Sequence, residues 1–74
     1  MRFLRSAGKH GVPRRSAWVV TMKYFPREIV TNRGESGWLF VGVDDRGVEI
    51  EVVTVMRGRE EWVIHSMPTS FRHV

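Results

Sequence analysis

Residues 38–56 read Trp-Leu-Phe-Val-Gly-Val-Asp-Asp-Arg-Gly-Val-Glu-Ile-Glu-Val-Val-Thr-Val-Met, and their periodicity decides the fold. Trp38 to Val43 is almost wholly apolar, as a strand between two neighbours must be when both its faces are covered. Asp44-Asp45-Arg46-Gly47 then interrupts the run as a hairpin connection, with Gly47 suited to a positive φ. From Val48 onward the residues alternate. Val48, Ile50, Val52 and Thr54 share one face, while Glu49 and Glu51 take the other. The spacing therefore predicts two antiparallel strands, 38–43 and 48–56, in the middle of a sheet.

Working outward, Arg57-Gly58-Arg59 turns the chain into a last strand from about Glu61 to Ser66, with Trp62 and Ile64 opposite Val63 and His65. On the other side, Glu28 to Thr31 reads as the first strand, and residues 32–37 read as its turn. Upstream of Pro26 the period changes to that of a helix. Pro13 suits a first helical position, and Ala17, Val20 and Tyr24 recur on one side, with Trp18, Met22 and Phe25 adjoining them as core packing. Residues 2–9, with Phe3, Leu4 and Ala7 apolar, predict a short first helix closed by Gly11. Such a piece is too short to stand alone and needs a surface beneath it. The expected architecture is α+β: two N-terminal helices packed on a four-stranded antiparallel sheet, in one domain spanning 1–74 with a flexible tail at 68–74.

A chain of 74 residues has room for one small domain, near the lower limit of independent stability. It has no cysteine, which excludes disulfides and thiolate metal sites and fits a reducing cytoplasm. Ten arginines and two lysines against eight acids give a net charge of +4, which favours nucleic acid or an acidic protein as a partner. No apolar run is long enough to span a membrane, and Met-Arg-Phe-Leu-Arg does not resemble a secretion signal, so no membrane partner is expected.

The residues with chemical capacity lie at element ends. His10, between the first helix and Gly11-Val12-Pro13, is either a proton-transfer group or a histidine that satisfies helix-end carbonyls. His65 is either a satisfied core residue or part of a groove, according to which sheet face the helices cover. His10, His65 and His73 lack the local spacing of a metal site, so no metal or other cofactor is expected. Ser66 lacks a nucleophile elbow. Cleavage of RNA through its own 2′-hydroxyl needs a base, an acid and cations for the phosphorane charge, and two histidines with several arginines contain all three.

Lys9-His10-Gly11-Val12 before a helix, a strand entering Gly42-Val43-Asp44-Asp45-Arg46-Gly47, and Val63-Ile64-His65-Ser66-Met67-Pro68 together resemble the BrnT-like toxins of bacterial toxin–antitoxin pairs, whose fold is related to the RelE and ParE toxins. The resemblance runs from about residue 6 to residue 68. It implies the toxin of a type II toxin–antitoxin system, a metal-independent endoribonuclease acting on an mRNA substrate in the cytoplasm and neutralised by a cognate antitoxin. In that frame His10, His65 and Arg46 are the catalytic residues, and Arg14, Arg15, Arg59 and Arg72 bind RNA phosphates. The antitoxin is expected on residues 9–15 and on the segment after Pro68. The family's last strand commonly ends in Ser-Ala-Arg, whereas these places hold His65, Ser66 and Met67, which leaves Arg72 to supply the guanidinium. The alternative is a catalytically inert basic module that binds an acidic protein or nucleic acid. A DNA-reading helix ranks third, because helix 13–24 is too apolar beyond its first turn.

Overall fold

The computed structural model describes residues 1–72. It contains one α-helix and a five-stranded mixed sheet, not two helices on a four-stranded antiparallel sheet. The strands are β1 (Arg2–Phe3), β2 (Arg27–Val30), β3 (Ser36–Val43), β4 (Glu49–Arg57) and β5 (Glu60–Pro68), in the order β1-β5-β4-β3-β2. The helix α1 is Arg14–Lys23. β3 lies inside the sheet, paired with β2 on one side and β4 on the other, but only one of its faces is covered, and Val41 and Val43 are exposed on the other.

The correction falls on the N-terminus. Residues expected to form a first helix instead run as β1, parallel to β5 with Arg2 opposite Trp62 and Phe3 opposite Val63, and then as a 3-10 turn at Arg5–Gly8. The physical reason is the free edge of β5. A helix of eight residues would have few internal hydrogen bonds, whereas the extended segment gives β5 a partner, including a Leu4 N–H to Val63 O bond of 2.9 Å. The buried Ser66 hydroxyl donates to Ala7 O at 2.9 Å and fixes the turn to the same strand. Gly11, with φ 75°, then lets the chain turn into α1.

α1 covers one face of the sheet. Ala17 and Val20 meet Phe40, Ile50, Val52 and Val63, with Ala7 and Val12 closing the cluster and Phe3, Leu4 and Trp38 packed against it. Tyr24 lies across Gly42 so closely that a Cβ there would come within 2.3 Å of its ring, and its hydroxyl accepts the Val43 N–H at 3.1 Å. The rest of the expected aromatic packing is not in the core: Trp18 and Met22 are exposed, and Phe25 is 99% exposed. Ser16, Ala17 and Val20 are the residues that the ten-residue helix buries.

β5 carries one irregularity that sets up everything below. Val63 pairs with Thr54, but His65 pairs with Val53 and Ser66 with Val52, so an extra residue, Ile64, is inserted in β5 between Val53 and Thr54. Val63 and Ser66 thus face α1, and His65 is turned to the opposite, helix-free face. Beyond β5, Thr69–Arg72 form a second 3-10 turn, with the Thr69 hydroxyl donating to Glu49 Oε1 at 2.6 Å. His73 and Val74 lie outside the described residues. Among the described residues no helix is long and apolar enough to cross a membrane.

Candidate active site

Two of the expected residues meet. The rings of His10 and His65 lie edge to face with centroids 5.8 Å apart, and the Phe71 ring stands 6.0 Å from that of His10. The loop after the first 3-10 turn brings His10 to the edge of β5, and the bulge at Ile64 delivers His65 to the same place.

Beneath them is a residue that the sequence pattern assigns to the solvent side. Glu51 is only 5% exposed. Its Oε2 accepts from His65 Nε2 at 2.8 Å, and Arg72 Nε approaches Oε1 to 2.5 Å. The Arg72 contact is an ion pair without an aligned hydrogen bond, so Oε1 is buried with no aligned donor. A carboxylate only accepts, so when Glu51 is ionised this contact puts a proton on His65 Nε2 and, in the neutral ring, leaves the lone pair on Nδ1. His65 therefore has a carboxylate on one nitrogen, while the other makes no hydrogen bond among the described residues. Arg72 keeps its two terminal amino groups, and its side chain is largely exposed.

The other expected residues are placed elsewhere or already engaged. Arg46 sits in the β3–β4 hairpin, its Nε and one terminal nitrogen on Asp44 Oδ2 at 2.9 and 2.8 Å. Asp44 also accepts the backbone N–H groups of Arg46 and Val48 at 2.8 and 3.0 Å. Burial would push its carboxyl up, but these bonds outweigh burial and hold it below the usual carboxylate range. Arg15 is drawn to Asp45 at 3.5 Å, and Asp45 also accepts the Ser16 hydroxyl at 2.8 Å. Arg14 lies 5.3 Å over the ring of Phe3. Arg59, six positions before His65, is about 20 Å away along an extended strand.

Glu51 is the residue of this cluster that the sequence reading missed. The available signal was its position: one of two acids on the face of β4 opposite the apolar one, on the strand beside the one that carries His65. Comparison with family models, with curated proteins and with solved structures finds no match to this chain.

Proposed function

We propose that the chain is the toxin of a bacterial type II toxin–antitoxin system, a cytoplasmic endoribonuclease that cuts mRNA without a metal and is held at rest by a cognate antitoxin. The observation that carries this reading is the convergence of His10, His65 and Arg72 around the buried Glu51. The roles proposed for them are these. His65 Nδ1 takes the proton of the 2′-hydroxyl as that oxygen attacks the adjacent phosphorus. The bond from phosphorus to the 5′-oxygen breaks, and protonated His10 gives its proton to that oxygen. The terminal nitrogens of Arg72 lie against the charge that builds on the phosphorane. The products are a 2′,3′-cyclic phosphate and a free 5′-hydroxyl.

The protein-partner half of the proposal is supported by an unpartnered surface. Trp18 and Met22 lie one turn apart on the outer side of α1, with Phe25 just beyond its end, and all three are exposed. No acid occurs from Arg14 to Arg27, while Arg14, Arg15, Lys23 and Arg27 surround the apolar side chains. An acidic, amphipathic partner matches both properties. The inert basic module has one observation in its favour, since Arg15 and Arg46 are already paired with acids of the chain.

The test is induced expression in a bacterial host beside His10→Ala and His65→Ala, with cleavage of a defined RNA measured in the presence of a chelator. Growth arrest and chelator-resistant cleavage in the parent, both lost in folded variants, are expected. A harmless parent that leaves RNA intact would replace this reading with the binding module.

A further inference from the structure

The helix-free face of the sheet carries a groove of about 610 Å³ that no residue of the proton-transfer scheme explains beyond His65 itself. It starts at His65 on β5, passes over Val53 of β4, and reaches the turn that follows β2. Its apolar floor is Leu4, Ile29, Val53 and Ile64, and its far end is polar, with Asn32 and Arg33 exposed. Glu35 is the one acid along it, and Arg57 neutralises that acid with two contacts of 3.1 and 3.2 Å. The volume falls within the roughly 300–1,000 Å³ typical of small-ligand sites.

We propose that this groove seats one nucleotide of the RNA strand next to the cleaved bond, its sugar and base over the apolar floor and its neighbouring phosphate at Arg33. The inference rests on the ribonuclease reading, because it takes His65 as the place where the reacting phosphate sits. Three properties select this occupant over others. A fully apolar ligand would strand the polar groups at both ends of the groove. A peptide adding as a strand needs a free strand edge, and the groove lies over a sheet face. A bare phosphate would leave the four apolar floor residues without a counterpart. A nucleotide alone combines a flat, weakly polar body with anionic groups at its ends. The floor has no aromatic ring, so recognition rests on aliphatic contact and on the Asn32 amide, which can both donate to and accept from a base edge.

Nuclear magnetic resonance titration of the intact chain with a nucleoside 3′,5′-bisphosphate, and separately with inorganic phosphate, tests the placement. The nucleotide is expected to shift His65 and the amides of residues 29–33 together, whereas phosphate shifts His65 alone. Val53→Phe, which fills the middle of the groove, should weaken nucleotide binding tenfold or more and leave phosphate binding unaltered. Should that variant fold poorly, Arg33→Ala in the exposed turn provides the same comparison. Nucleotide binding that leaves residues 29–33 unmoved, or that survives both variants, overturns the groove as a nucleotide site. If Val53→Phe and Arg33→Ala cleave RNA with the parent's KM, the groove inference falls while the ribonuclease reading stands. If the parent binds the nucleotide in the groove and cleaves nothing, the ribonuclease reading falls and the groove remains a nucleotide site.

Discussion

Asp44 and Glu51 are both buried acids on the same hairpin, yet every side-chain donor to Asp44 comes from within four residues, whereas His65 and Arg72 reach Glu51 from much later in the chain. The difference separates two uses of a buried charge. Asp44 is satisfied as soon as its turn closes, by two backbone amides and the fork of Arg46, and it has nothing left to offer a ligand. Glu51 is completed only when β5 and the C-terminal turn have docked, and its contacts are to one histidine and one exposed arginine. A carboxylate closed by its own turn builds structure. A carboxylate held by distant, exchangeable partners, with a histidine on it and a second histidine beside that, is equipped for chemistry.

The contrast can be broken most decisively at the Glu51 end. His65→Ala should lower RNA cleavage by about 100- to 10,000-fold, the usual contribution of a proton-transfer group, with an unchanged circular dichroism spectrum. Glu51→Gln keeps the base but frees its ring, and should cost on the order of 10- to 100-fold in the same assay, as when a functional histidine loses its outer partner. Equal cleavage by the parent and Glu51→Gln would remove the orienting role.

At the other end the expected losses are in stability. Asp44→Ala leaves two backbone amides and a guanidinium without their acceptor and should lower unfolding free energy by about 1–3 kcal/mol in denaturant titration, while cleavage per folded molecule holds. The pH dependence has a definite sign. The folded carboxyl of Asp44 lies below its ordinary value, so its stabilisation is complete above the unfolded pKa of about 3.9 and is lost as pH falls through the lower folded value. Melting curves of the parent and Asp44→Asn should therefore converge in acid and separate as pH rises to neutrality. The smallest effect belongs to Arg15→Ala, whose exposed contact with Asp45 should be worth no more than about 1 kcal/mol.

The unequal legibility of the two ends follows from the same physics. The central strands, their hairpin and α1 were readable because each rests on local periodicity or on a turn residue at a fixed offset, as with Gly47 at φ 81°. The first helix was misread because Phe3, Leu4 and Ala7 fit a helical face equally well, and only the unpaired edge of β5, a non-local fact, selects the strand. At the site, His10 and His65 could be named from residue type, but not their approach. Glu51 was hidden by the general rule that the charged side of an alternating strand meets water. Trp18, Met22 and Phe25 failed in the opposite direction, since apolarity predicts burial and α1 has only the sheet to bury against.

The extra residue in β5 decides which side His65 takes. Were Ile64 taken up as a regular pair opposite Val53, His65 would fall opposite Val52 and turn toward α1, and Ser66 would leave Ala7. Removing Ile64 has no such effect: Val63 would still stand opposite Thr54, His65 opposite Val53 and Ser66 opposite Val52, in a ladder now regular. Substituting Ile64 likewise leaves His65 on the open side. The strand thus carries one letter more than its pairing needs, and a single-codon deletion at Ile64 should be tolerated where the same deletion at Ser66 would not.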